Sequence, residues 1–109
     1  MDRLVMYRNA IKRLLSEYHL GGVATYESQL IFYEVRDHYL WLDLDWDGSR
    51  RIYHPIMHFD IKDGRIWIQE NMTDHDPAED LSALGVERLD IVLGLHPPFK
   101  RPYTDYGVA

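Results

Sequence analysis

Two histidines and an aspartate, His54, His58 and Asp60, crowd into one extended-looking stretch, and Asp43 and Asp45 occupy the stretch before it. Imidazole and carboxylate are the groups that hold transition metals and move protons in acid–base catalysis. Spacing limits what they can do together. On a strand rising about 3.3 Å per residue, His54 and His58 stand about 13 Å apart and cannot share one metal. His58 and Asp60 stand about 6.6 Å apart by the same rise, so a metal set would have to recruit Asp43 or Asp45 across strands. Asp60-Ile61-Lys62 also matches the acid-x-Lys unit that ends a hairpin strand in nucleases using paired acids and a lysine. Three residues are a weak match, and no Pro-Asp element sits at a convincing position before them. Ser16, Ser28, Ser49 and Ser82 lack a local nucleophile context, and there is no Gly-rich phosphate loop, nucleophile elbow or His-Glu-x-x-His. No catalytic residue, metal ligand or cofactor is assigned, and an enzyme is not expected. The competing reading of the polar stretch is a solvated or subunit-facing sheet surface with a cross-strand Asp43–His54 pair.

Aromatic and basic residues point to association instead. Trp41 and Trp67 fall on the mixed, polar face of the expected sheet, and large aromatics bury much area at little entropic cost. They form either an interface or the seat of the proline-rich tail. Small basic groups stand at Arg8, Lys12 and Arg13, at Arg50 and Arg51, and at Lys100 and Arg101. Each can touch a phosphate locally, but a solvated face is the favoured reading.

The elements that must position these residues are readable. Leu4, Tyr7, Ile11, Leu14, Leu15 and Tyr18 recur at helical spacing over residues 3–18, and Gly21-Gly22 stops the helix in the left-handed manner. Residues 28–36, 39–47, 50–62 and 65–70 read as strands. They are separated by Asp37-His38, Gly48-Ser49 and Asp63-Gly64, the last being the strongest hairpin signal. Pro55 cannot donate to a ladder and suggests a bulge or an outward-facing amide. Two-residue loops throughout place Ile31, Tyr33, Val35, Leu40, Leu42, Leu44, Trp46, Tyr53, Met57, Phe59, Ile61, Ile66 and Ile68 on one face, the core face under the helix. Asp43 then faces His54, and Asp60 faces Trp67. Asp76-Pro77-Ala78-Glu79 starts a second helix that Gly85 ends. Val86–Leu89 adds a helical turn, and Ile91–Leu93 a short buried strand. Residues 96–109 form an ordered irregular tail in which Phe99, Tyr103 and Tyr106 bury apolar area. The expected class is α+β: an antiparallel β-meander of about four strands with an N-terminal helix packed on one face, a second short helix and an ordered C-terminal tail, in a single domain over residues 1–109.

Composition sets the outer bounds. The 109 residues include no cysteine, which excludes disulfides, Cys-ligated zinc and thiol catalysis. Acids outnumber bases 18 to 12, giving a net charge of -6. Nonspecific DNA affinity comes mainly from cations on phosphates, so this balance disfavours a simple nucleic-acid binder. No apolar run approaches a membrane span or a secretory signal, so a cytoplasmic protein without membrane attachment is expected.

Three blocks carry a resemblance: Asp37-His38-Tyr39; Asp60 through Gln69; and Asp90-Ile91-Val92-Leu93-Gly94 running through His96-Pro97-Pro98-Phe99-Lys100-Arg101-Pro102-Tyr103-Thr104-Asp105-Tyr106 to Ala109. Their order and spacing resemble the XisI family, the fdxN element excision controlling factors, over nearly the whole chain. The Lys-Arg-Pro-Tyr-Thr-x-Tyr stretch is the most specific part. The resemblance implies an accessory role beside a recombinase in programmed DNA-element excision, with a nuclease-like partner called XisH. It carries over no catalytic residue. The sequence departs from the family pattern at Asp43, Asp45 and His54, which argues against a family function at that pair. The expectation is a non-catalytic controlling factor that binds an XisH-like protein and forms a homo-oligomer. Trp41, Trp67, Lys100, Arg101, Tyr103 and Tyr106 are its candidate contact residues. Direct DNA binding through Arg50, Arg51, Lys100 and Arg101 is the second reading, and a metal-dependent nuclease the third.

Overall fold

The structure, a computed structural model, describes residues 2–22 and 25–108; Ala109, the last residue of the C-terminal block, lies outside them. Helix α1 spans Arg3–Gly21, with the Asp2 side chain accepting from the Leu4 amide at its start. Its buried side is Tyr7, Ala10, Ile11, Leu14, Leu15 and Tyr18, the expected stripe with Ala10 added in place of the half-buried Leu4. The helix runs one turn further than its apolar spacing predicts. Gly22 then leaves in an extended conformation (φ -86°), so the left-handed stop is not used.

Five strands form one sheet in the order β1-β2-β3-β4-β5: β1 Ser28–Tyr33, β2 His38–Asp47, β3 Arg50–Lys62, β4 Arg65–Asn71 and β5 Ile91–Val92. The first four make the expected antiparallel meander; β5 joins parallel to β4, with Ile66 opposite Ile91. Asp63 and Gly64 both adopt positive φ, as a tight hairpin turn requires. The first connection differs from the expected Asp37-His38 turn. Tyr33 pairs with His38 across a four-residue loop, and Asp37 takes φ 59°. Asp37 is clamped there by the Arg8 guanidinium (2.8 and 3.1 Å) and the Tyr39 hydroxyl (2.7 Å).

Two bulges rewrite the register. From the Gly48-Ser49 turn, β2 and β3 pair as expected through Asp43 opposite His54 and Leu42 opposite Pro55. The next pair is Trp41 opposite Met57, so Ile56 is an extra residue beside Pro55. A second extra residue, Gln69, falls in β4 between the pairs Phe59–Ile68 and His58–Glu70. Beyond the first bulge every β2 side chain changes face relative to β3. Tyr39 and Trp41 therefore join Met57, Phe59, Ile61, Ile66 and Ile68 under α1, with Leu30 packed alongside. Leu40, Leu42 and Leu44 belong to the other face; Leu42 is buried there, apart from the helix-covered cluster.

The expected core positions Ile31, Tyr33, Val35, Trp46 and Tyr53 are exposed. Val35 lies in the longer loop. Ile31, Tyr33, Trp46 and Tyr53 share the face of Leu40 and Leu44, which α1 does not cover.

Helix α2, Pro77–Ala83, starts as predicted: Asp76 accepts from the Glu79 amide, Pro77 opens the first turn, and Gly85 follows at positive φ. A 3₁₀ turn (Arg88–Asp90) leads into β5. Tyr7 donates to Asp90 and Tyr18 to Asp80, so α1 is tied to both C-terminal segments. No helix among the described residues is long and apolar enough to cross a membrane.

Candidate functional site

The uncovered sheet face carries the polar chemistry. The bulge at Ile56 makes His38 the cross-strand partner of Asp60, and His58 shares that face two residues before it. His38 Nδ1 lies 2.7 Å and His58 Nε2 2.8 Å from the same atom, Asp60 Oδ1. The bulged Gln69 donates its amide to the other oxygen, Oδ2, at 3.2 Å. Burial pushes the Asp60 carboxyl up, but hydrogen bonds from His38 and His58, the His58 charge and the Gln69 amide together hold it below the usual carboxylate range. Asp60 is thus an anionic acceptor with three donors, and His38, His58 and Asp60 form a compact group of metal-ligating type. The expectation that His58 and Asp60 lack a third ligand unless Asp43 or Asp45 joins them is overturned. The third member is His38, which reads as a turn residue in the sequence. The signal that finds it is Pro55: one bulge there shifts the pairing by one residue.

Beside this group stands Trp67, opposite Asp60 as expected. Lys62 Nζ lies 4.0 Å from the Trp67 ring centroid and the Arg101 guanidinium carbon 5.2 Å, and each such contact contributes about 0.5–1 kcal/mol. Trp41 is not its neighbour: the register change puts it on the opposite face, edge-on to His19. The two tryptophans therefore do not form one surface.

The tail brings the remaining candidates. A second 3₁₀ segment, Pro98–Tyr103, is pinned by Arg101, whose guanidinium donates to the Leu93 carbonyl (3.4 Å) and the His96 carbonyl (3.2 Å). Its far end is fixed by Gly107, which pairs with Val92 and donates to the Ile91 carbonyl at 2.8 Å. Tyr106 packs against the core and joins Arg88 and Glu79. Phe99 and Tyr103, expected to be buried, are 70% and 88% exposed, and Lys100 is exposed as well. The three prolines at 97, 98 and 102 hold the segment tight, and Arg101 and Tyr106 take the inward positions.

A second polar pocket, of about 200 Å³, lies at the end of α1 between His19, Ser28, Trp41 and Asp43. His19 Nε2 is 2.6 Å from Ser28 Oγ, a local context that the sequence does not show. Burial raises the Asp43 carboxyl, and the charges of His19 and His54 only partly offset it. No hydrogen bond joins Asp43 to His19 among the described residues, so the three groups do not make a nucleophilic relay.

Comparison with known proteins follows the same outline. The crystal structure of a XisI-like protein from Anabaena variabilis ATCC 29413 superposes with a TM-score of 0.92 at 53% identity, covering 97% of this chain and 99% of that one. The crystal structure of the fdxN element excision controlling factor XisI from the same organism gives 0.91 at 37% identity, covering 99% and 100%. Comparison with functionally curated proteins gives no match. The family model described as XisI protein matches residues 1–108. The chain belongs to the XisI family.

Proposed function

We propose that this protein is an accessory factor in the control of DNA-element excision, without catalysis of its own, that works by docking a protein partner of XisH type. Family membership and the printed name of the 37% identical relative support excision control. The observation that carries the docking mode is the tail: Phe99 and Tyr103 stand exposed on a segment pinned at Arg101 and Gly107. Aromatics on an already ordered scaffold contribute binding energy without the cost of ordering them. Trp67, Lys100 and Arg101 extend the same surface, and the net charge of -6 suits a basic partner.

The test is titration calorimetry with the XisH-type protein of the same genome. Phe99→Ala with Tyr103→Ala should weaken binding at least about 30-fold, as two aromatic hot spots imply, with the melting temperature unchanged. Unchanged affinity in that double variant would sink the proposal.

The DNA-reader alternative is weaker. Arg50 pairs with Asp47 at 3.0 Å, and Arg51 lies over Trp46. Arg50 sits ten residues along β3 from Asp60, about 33 Å from the Trp67–Arg101 end, so the two basic groups do not track one stretch of backbone together. Steeply salt-dependent micromolar DNA binding by the chain alone would favour it instead.

A homo-oligomer is part of the proposal, carried by β1. This strand is a sheet edge of sequence SQLIFY, without a charge or a proline. Ile31, Phe32 and Tyr33 are exposed on it. An unprotected apolar edge is the template that a second copy completes by antiparallel pairing across a two-fold axis.

A further inference from the structure

We propose that His38, His58 and Asp60 form a binding site for one divalent transition-metal ion, Zn²⁺ foremost, fastening the start of β2 to the end of β3. The argument begins with convergence. Both imidazoles aim a ring nitrogen at one oxygen, Asp60 Oδ1, from 2.7 and 2.8 Å, while Oδ2 is occupied by Gln69. One ligand atom from each of the three residues lies within 4.8 Å of the others, close enough for a single ion to take all three. Two borderline nitrogen donors and a single carboxylate oxygen select zinc-like ions over magnesium or calcium, which take mostly oxygen ligands.

The dimensions fit with little movement. A tetrahedral ion with ligands at about 2.0–2.1 Å holds neighbouring donors about 3.3 Å apart. Each nitrogen therefore draws back about half an ångström to admit the ion. The protons move as follows. A carboxylate only accepts, so His38 Nδ1 and His58 Nε2 carry the hydrogens when no ion is bound. On binding, the hydrogens facing Asp60 pass to water, a lone pair on each of those nitrogens faces the metal, and each ring holds one hydrogen on its outer nitrogen, His38 Nε2 and His58 Nδ1. Gln69 stays on Oδ2 and keeps the carboxylate turned toward the ion. Access exists: the His38 side chain is 54% exposed and Asp60 18%. Three protein ligands leave a fourth position for water.

The experiment uses the full chain after dialysis against a chelator. Zn²⁺ is titrated by calorimetry, and Co²⁺ by visible absorption, whose intensity reports tetrahedral coordination. The expected result is one ion per chain with a dissociation constant of micromolar order and a rise in melting temperature on saturation. His38→Ala and His58→Ala, both at accessible positions, should each weaken binding at least about tenfold, while His54→Ala leaves it unchanged. Asp60→Asn should do the same as the two histidine variants, and circular dichroism reports whether it folds; if it does not, the histidine variants decide. No saturable binding below about 1 mM, or an affinity equal to the parent's in both histidine variants, overturns the site.

Discussion

Gly107→Ala is the most informative single change in the tail. Gly107 needs no unusual backbone angle; it needs room. A Cβ built there would stand 2.4 Å from the Leu89 carbonyl oxygen and 3.3 Å from that of Ile91. The first contact is about 1 Å inside van der Waals range, and both atoms are backbone, so no side chain can swing clear. Strand and tail must separate. Overpacking costs about 1–3 kcal/mol, and loss of the Gly107–Ile91 hydrogen bond adds about 1 kcal/mol, giving about 2–4 kcal/mol. For a chain of this size about 4 °C accompanies each kcal/mol, so the melting temperature should fall by about 8–16 °C if the tail unfolds with the sheet. If the tail opens as its own unit, the transition holds and the Gly107 amide loses hydrogen-exchange protection instead. Either result supports the clasp, and affinity for the partner should fall with it. Gly94→Ala is the comparison: its Cβ meets the Gln69 amide oxygen at 2.5 Å and the Trp67 ring at 3.1 Å, both side chains. Its loss should stay near about 1 kcal/mol. A Gly107→Ala protein with an unmoved transition and unchanged amide protection would refute the reasoning.

Two further outcomes follow from the same structure. Burial holds the Asp43 carboxyl above its ordinary value, so the folded state binds its proton more tightly than the unfolded chain does. The stability tied to that proton is complete below the unfolded value of about 3.9 and is lost as pH rises through the folded one. Asp43→Asn should therefore melt higher than the parent at pH 7 and equal it near pH 3; an advantage that persists in acid counts against burial as the cause. For the β1 edge, sedimentation should show a dimer that Ile31→Lys converts to monomer, since a two-fold axis brings both lysines to one seam. A parent chain that stays monomeric at about 100 μM removes the edge from the proposal.

Much of the architecture is legible because it rests on local signals. Helical spacing from Tyr7 to Tyr18, the Asp76-Pro77 start of α2 and the Asp63-Gly64 reversal each encode their element within a few residues. The limits of β3 and β4 follow from the Gly48-Ser49 and Asp63-Gly64 breaks, whereas β1 ends at Tyr33 rather than Arg36 because Asp37-His38 is not the turn. The parallel pairing of β5 is not local: Ile91 and Val92 read as a short buried strand, but their direction depends on how the chain returns from α2. The tail fails for another reason. Phe99, Tyr103 and Tyr106 are alike in composition, and only the inward anchoring of Arg101 and the close approach at Gly107 decide which of them is buried.

The candidate site shows how far one extra residue reaches. Counting pairs from the Gly48-Ser49 turn without interruption sets His38 out of step with Asp60 and assigns Leu40 to the core. Inserting Ile56 beside Pro55 switches the face of β3 beyond it relative to β2, so that Tyr39 and Trp41 share the helix-covered face with Met57 and Phe59 and His38 lies beside His58 on the other. The bulge therefore does two things at once: it delivers two large aromatics to α1 and assembles two imidazoles on one carboxylate. Restoring continuous pairing would undo both together, since a sheet cannot move His38 without moving Tyr39 the other way. A residue next to a proline in mid-strand is where any count of cross-strand partners should be broken and restarted, and here that step separates a polar sheet surface from a metal-ligating group.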